Sequence, residues 1–461
     1  MTGVVGYGLV LSWMIPFLRT WGHLGILAAL AVYGILVGYV AAYTACWTWA
    51  VRLFRARWGV PAACLLAPFA WTGLELARSH LLGGFPWGLF GVSQHDVLAA
   101  IQIVDVTGVY GVSFLLVAAS SLLCLAITGF RPGSRGAVPC GVILALAVAA
   151  SLAHGLKGRP AAGGGAETID VALIQANVPQ TLKWDPAERE RIEQEHRTMT
   201  REAAGAGAKL ILWSESSVPI SLTSDPEYAG RVAALAKETG AEIVLGSVAY
   251  EREGDVRVPY NSAFLVRPED GIAGRYDKQR LVPFGEYVPL AQIFTSLESI
   301  VAEAGNFRAG RAPTLLRSEA AAIGPLICYE AVFPSLSRAS ARAGATLLVN
   351  LTNDAWYAGT AMQAQHLAHA VFRAVETRRY LLRCANTGIS AIVAPSGEIA
   401  ARARSDEPAI LRARVAPASG TTAYVLLGDV FAAACAIVAL LAAAHAGFAE
   451  PGASRLNRSD P

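Results

Sequence analysis

Three segments carry side chains that could act on one another. "AAIGPLICYEAVFP" brings the apolar run Ile323, Leu326 and Ile327 to an end at Cys328, then turns polar at Tyr329 and Glu330. "LILWSES" sets Glu215 just past an apolar run. "RYDKQRLVPFGEYVP" holds Lys278 and Glu286 in a stretch too rich in Pro, Phe, Gly and Tyr for a solvated linker. A carboxylate beside a thiol can take its proton, and an ammonium stabilises both a thiolate and the oxyanion of a tetrahedral intermediate. Backbone N–H groups near Tyr329 would complete an oxyanion hole. Each residue also has a plainer reading: Cys328 as a small buried hydrophobe, Glu215 as a loop carboxylate, Lys278 as surface charge. The competing chemistry is a Cys–His pair drawn from His366 and His369 in "QAQHLAHA". Three apart on a helical stretch with apolar flanks, these histidines suit packing or a supporting hydrogen bond better.

Groups of this kind sit at strand ends in α/β enzymes, so strands must lie nearby. "IDVALIQAN", "KLILWSE", "EIVLGSVAYE", "TLLRS", "AAIGPLICYE", "TLLVNLTND", "YLLRCANTGISAIVAP" and "EIAARA" read as strand-like. Between them "DPAERERIEQEHRTMTREAAGAG", "PEYAGRVAALAKETG", "PSLSRASARAG" and "QHLAHAVFRAVETRR" read as helices. Strands followed by helices across Gly-rich turns predict an α/β layered domain of about 260 residues.

The rest of the chain is of another kind. A hydrophobic fraction of 54% with only 16% charge, and a mean hydropathy of +0.42, is too apolar for a wholly soluble protein. No charged residue occurs from Leu24 to Val51, about 28 residues or roughly 42 Å as a helix, more than a bilayer core needs. Further spans are predicted at 4–18, 58–77, 109–129, 137–155 and 424–447. Arg52, Arg55 and Arg57 in one predicted loop, Arg131 and Arg135 in another, and Arg455 and Arg458 in the tail place those segments in the cytoplasm by the positive-inside rule. Residues from about 156 to 423 then face outward. A net charge of +3, dispersed along the chain, argues against nucleic acid. No cleavable signal peptide is evident, because Met1 to Pro16 has no basic start and no A-x-A site. Five of the seven cysteines fall in or beside the spans. Cys328 and Cys384 fall in the outer domain, where a disulfide is chemically possible. No C-x-x-C or H-x-x-x-H spacing suggests a metal.

The order Glu215, Lys278, Cys328 resembles the Glu-Lys-Cys triad of the nitrilase superfamily. The longer strings "KQRLVPFGEYVP", "NLTNDAWY" and "GFPWGLFGVSQ" resemble the apolipoprotein N-acyltransferase family over nearly the whole chain. The resemblance implies a nitrilase-like α-β-β-α sandwich carried on a transmembrane α-helical bundle. It makes Glu215 the general base, Lys278 the oxyanion-stabilising group and Cys328 the nucleophile. Glu286 matches the family's second glutamate. Trp184, Asn261, Tyr329 and Glu330 match positions that shape the pocket or orient the triad, while Asn353, Asp354 and Trp356 fit a loop over the site.

The expected organisation is a helical bundle over 1–155, a linker at 156–168, a catalytic domain at 169–423, a last span at 424–447 and a tail at 448–461. Family members usually have eight spans. "MTGVVGYGLVLSWMIPFLRTWG" is similar to the third, so the first two are expected to be missing from this sequence. The implied reaction moves a fatty acyl chain from a phospholipid, through a Cys328 thioester, to the α-amino group of an S-diacylglyceryl cysteine at a lipoprotein N-terminus. Its implied partners are a phospholipid donor, a diacylglyceryl apolipoprotein acceptor and the bilayer, with no cofactor and a monomeric enzyme in a bacterial inner membrane. "LVPFGEYVPLAQIF" is expected to act as a lid that keeps water from the thioester. The alternative is a membrane-anchored nitrilase-type amidase that gives its acyl group to water.

Overall fold

The computed structural model describes residues 1–128, 136–157, 167–287 and 306–448. The predicted loop with Arg131 and Arg135, most of the predicted linker, the far end of the predicted lid and the tail with Arg455 and Arg458 lie outside the described residues. The chain divides into two compact units.

One unit is helical. Among the described residues four helices are long and apolar enough to cross a membrane, or five if Thr2–Val10 and Met14–Thr20 make one span. The spans predicted at 24–51 and 58–77 are one helical run, Ile26–His80, interrupted at Gly59 with φ 84° and ψ 179°. Glycine adopts that conformation without a Cβ clash, and Pro61 just beyond it cannot donate to the preceding turn. Arg52, Arg55 and Arg57 therefore stand exposed on a helix and not in a loop. The span predicted at 4–18 is broken because Pro16, in the first turn of Met14–Thr20, lacks the N–H that would continue the preceding helix. The segment "GFPWGLFGVSQ" turns back within this unit, with Trp87 buried and the Phe90 N–H donating to Glu75 at 2.8 Å. The remaining long helices are Val109–Thr128, Ala137–Lys157 and Val430–Phe448.

The other unit holds two six-stranded sheets. One has the order β12-β1-β2-β3-β4-β5, from Ala409–Val415 (β12), Ile169–Gln175 (β1), Leu210–Trp213 (β2), Glu242–Glu253 (β3), Val256–Arg267 (β4) and Gly271–Asp277 (β5). The second has the order β11-β10-β9-β8-β7-β6, from Ile399–Arg402 (β11), Ala391–Val393 (β10), Leu381–Ala385 (β9), Leu347–Thr352 (β8), Ala322–Ile327 (β7) and Leu316–Arg317 (β6). Val171, Leu173, Leu212, Val244 and Leu265 of the first sheet pack on Ile323, Val349, Leu382 and Ile392 of the second. The first sheet's outer face, with Ile211, Trp213 and Ile243, is covered by Ile192, Ala203, Val232 and Leu235 from helices Arg189–Gly205 and Pro226–Thr239. Pro334–Arg342 lies on β7, and Met362–Thr377 on β9 and β10. The layers run α-β-β-α.

Local chemistry places these helices. Asp225 caps Pro226–Thr239 by accepting from the Tyr228 N–H at 2.9 Å, Pro226 sits in the first turn, and Gly240 closes the helix at φ 60°. The strands β4, β5 and β12 go beyond the predicted set. Pro259 and Asn261 interrupt the β4 pattern, and β12 is an edge strand paired antiparallel to β1. The segment Ser12–Tyr33 groups with the sheets. Phe17 stacks on Tyr357 at 4.9 Å, and Trp21 meets Trp356 edge-on at 4.9 Å. Trp13 packs edge-on against Tyr357 at 5.2 Å and donates to Gln365 at 3.1 Å.

Candidate active site

Lys278 and Cys328 follow directly on β5 and β7, and Glu215 comes two residues past the end of β2, so the two sheets deliver a carboxylate, an ammonium and a thiol from three strand ends. Glu215 is held at both oxygens. Its Oε1 accepts from Lys278 Nζ at 3.2 Å and Asn261 Nδ2 at 2.8 Å, and its Oε2 accepts from the Asn353 N–H at 2.9 Å. Gly246 in β3 makes room for this loop: a Cβ there would come within 2.6 Å of Ser214 O and Ser216 N. Glu286 repeats the pattern, with Oε1 accepting from Lys278 at 2.9 Å and Asn261 at 2.8 Å, and Oε2 accepting from the Val282 N–H at 2.8 Å. Asn261 and Lys278 thus bridge two carboxylates. Lys278 is 1% exposed. Burial opposes its charge, but Glu215 and Glu286 outweigh it and hold the ammonium well above the ordinary lysine value.

Cys328 opens the short 3-10 turn Cys328–Val332 with φ +50°. A side-chain-bearing residue in this left-handed region stores about 1–3 kcal/mol of strain, so the surroundings must hold it there. His366 Nε2 lies 3.0 Å from the Cys328 carbonyl oxygen, and Asn350 Nδ2 donates to that oxygen at 3.3 Å and to Leu326 O at 3.2 Å. His366 Nδ1 lies 3.1 Å from Asp354 Oδ1 and from Arg383 Nη2, and Arg383 Nη2 donates to Asp354 Oδ2 at 2.6 Å. Burial opposes the Asp354 charge, yet Arg383 and His366 bring its pKa down to about 2. Burial pushes the Cys328 thiol up, the Glu215 charge adds to this, and Lys278 pulls it back. The resting sulfur is therefore a thiol that needs a base.

Glu330 ties the Cys328 strand end to the Lys278 loop. It accepts from the Ile327 N–H at 2.7 Å, from Tyr276 Oη at 2.9 Å, and from the Gln279 and Arg280 N–H groups at 2.6 and 3.1 Å. Burial moves its carboxyl up to about 7. Tyr329 packs edge-on against Phe333 at 4.9 Å. Trp184 follows the short helix Gln180–Lys183, is 50% exposed, and stands apart from the hydrogen bonds that join the other predicted residues. His366 is a partner of the Cys328 carbonyl, and His369 is buried on the same helix. Cys328 and Cys384 are both free. The strand β8 lies between β7 and β9, and two strand spacings come to about 10 Å, beyond the roughly 7 Å that a disulfide spans.

Sequence reasoning missed Lys183 and Arg383. Lys183 directly precedes Trp184 in "QTLKW", and the signal for Arg383 was a lone arginine inside the apolar run "YLLRCA".

The sequence is similar to those of known proteins. Residues 170–424 match the carbon-nitrogen hydrolase family, so the sheet unit has the nitrilase-superfamily fold. Residues 1–122 match the apolipoprotein N-acyltransferase N-terminal domain. The apolipoprotein N-acyltransferase of Geobacter metallireducens is 39% identical over 449 residues, 97% of this chain and 86% of that protein. Those of Methylococcus capsulatus and Pseudomonas aeruginosa are 32% and 33% identical, over 93% and 92% of this chain and 82% of each relative. The chain belongs to the apolipoprotein N-acyltransferase family.

Proposed function

We propose that this chain transfers a fatty acyl group from a phospholipid, through a thioester on Cys328, to the α-amino group of an S-diacylglyceryl cysteine at a lipoprotein N-terminus. The observation that carries the mechanism is the buried pairing of Glu215 with Lys278 beside a protonated thiol at a strained strand end. Glu215 takes the Cys328 proton as the sulfur attacks the ester carbonyl carbon. An ammonium has three N–H groups, and Lys278 uses two on Glu215 and Glu286. The third has no partner among the described residues and, with the N–H groups at the start of the Cys328–Val332 turn, can meet the oxyanion. Collapse breaks the carbon–oxygen bond, Glu215 returns the proton to the leaving oxygen, and a lysophospholipid departs. In the second half the neutral amine attacks the thioester carbon and passes a proton to Glu215. The thiol re-forms as the amide is made.

The apolar helices suit an enzyme whose two substrates are lipids. In this reading residues 1–155 and 424–447 anchor the chain in a bacterial inner membrane, with 169–423 as the catalytic domain on the outer side. The test is an intact-mass spectrum of the purified protein after exposure to phospholipid vesicles. One added fatty-acyl mass, released by neutral hydroxylamine and lost to a diacylglyceryl-cysteine peptide, is expected. Release to water at the same rate with or without the peptide would favour the amidase, and no adduct at all would end the acyltransfer reading.

A further inference from the structure

A second lysine reaches the site from behind. Lys183 ends the helix Gln180–Lys183 and is fully buried. Its Nζ donates to the main-chain oxygen of Glu215 at 2.9 Å. The helix is fastened to the site as well, since Asn353 Nδ2 donates to Gln180 Oε1 at 2.9 Å while the Asn353 N–H holds the Glu215 carboxylate. Of the three ammonium N–H groups, this one bond is the one made among the described residues. A fully buried cation with a single hydrogen bond is costly to the fold unless nearby charge compensates it.

The charged and titratable groups that face Lys183 are few. Glu215 and Cys328 face it from the strand ends and favour its charge. His196 faces it from helix Arg189–Gly205, and burial holds that imidazole down to about 4, so it is neutral near pH 7. Burial, only partly offset by Glu215 and Cys328, brings the Lys183 ammonium down to about 8. Lys278, clasped by two carboxylates, moves the opposite way. The site therefore holds one lysine that stays charged and one that loses its proton just above neutrality.

We propose that Lys183 is a positioning residue for activation of the nucleophile: its ammonium fixes the Glu215 peptide and adds a second positive charge that favours the Cys328 thiolate as Glu215 takes the proton. This rests on Glu215 acting as base and Cys328 as nucleophile. It does not need the acyl donor to be a phospholipid.

The test uses the full chain in detergent and follows alkylation of Cys328 by iodoacetamide, located by mass spectrometry. It is run across about pH 6–9, which brackets the Lys183 value. Phospholipid acylation is measured on the same samples. Wild-type alkylation should fall about tenfold from its neutral plateau as the pH passes 8, the size of the difference between a charged and a neutral hydrogen-bond donor. Lys183→Gln keeps an N–H for the Glu215 carbonyl and drops the charge. It should already be slower by that factor at pH 7 and show no fall through 8. A wild-type profile flat across the window overturns the proposal without any variant. A Lys183→Gln protein with the wild-type rate and the wild-type fall overturns it too. If alkylation behaves as expected while phospholipid leaves no acyl adduct, Lys183 keeps its role and the acyltransfer reading fails.

Discussion

The end of β7 and the body of β9 each carry a cysteine in the same sheet, and burial raises the pKa of both thiols. Cys384 sits in regular strand, in register with Leu351 of β8, and its Sγ donates to Ile174 O and Leu212 O of the facing sheet at 3.3 Å. Cys328 sits one residue past its strand in a left-handed conformation, with a carboxylate and an ammonium acting on the sulfur. Burial and a raised pKa are therefore common to both thiols. Backbone geometry at the strand end and the charges collected there set Cys328 apart.

The sharpest break in that comparison is removal of each sulfur. Cys328→Ala should abolish thioester formation, a loss on the order of 10⁶, while Cys384→Ala keeps both acylation and release. Intact mass before and after hydroxylamine reads both, and an adduct that persists in Cys328→Ala or maps to Cys384 would reverse the assignment.

Next comes Lys278→Ala, with an expected loss of about 10²–10³ in acylation rate, or about 2.7–4 kcal/mol. A polar loop position would leave the fold untouched, but Lys278 lies buried between two carboxylates. The variant should also melt earlier, because Glu215 and Glu286 then face each other unpaired. Single-turnover kinetics and a melting curve separate the two effects, and wild-type kinetics would remove Lys278 from the site.

A smaller effect tests the support behind Cys328. Asp354 has an ordinary pKa of 3.8 and a folded value of about 2, so its contribution to stability is complete above 3.8 and is lost as pH falls through 2. The contribution is about 2 kcal/mol. Denaturant melts should show this acid loss in wild type and not in Asp354→Asn. The same acid loss in the variant would mean that the Asp354–Arg383–His366 cluster does not brace the nucleophile.

The smallest effect belongs to β9. Cys384→Ser keeps a donor for Ile174 O and Leu212 O, so stability should change by no more than about 1–2 kcal/mol, with acylation unchanged. A fall in acylation rate would show that the β9 thiol is more than packing.

Strand ends were legible in the sequence because apolar runs stop abruptly at Trp213 and Ile327, with Ser214, Glu215 and Cys328 immediately beyond. The pairing of Glu215 with Glu286 through Asn261 was not. Asn261 lies in β4, where Pro259 and the polar pair Asn261 and Ser262 break up the apolar pattern. The braces on Cys328 were hidden for a related reason. Asn350 and Arg383 lie inside runs such as "LLVNLT" and "YLLRCA", where a single polar residue carries no periodic signal, and only pairing β8 with β9 in register brings Asn350 opposite Arg383. The kink at Gly59 was likewise unreadable, since a charge cluster before a Gly-Val-Pro sequence fits a loop and a broken helix equally well.

The turn Asp354–Tyr357 has a bearing on protein engineering. On one side Asn353 and Asp354 hold Glu215 and His366, and on the other Trp356 and Tyr357 are covered by Trp21, Phe17 and Trp13. A soluble fragment cut at the start of β1 would carry all three strand ends yet lose those rings. The Trp356 and Tyr357 side chains would be bared to water, inviting self-association. An excised catalytic domain should therefore keep residues 12–33, grafted or supplied in trans, if its kinetics are to stand for those of the whole enzyme.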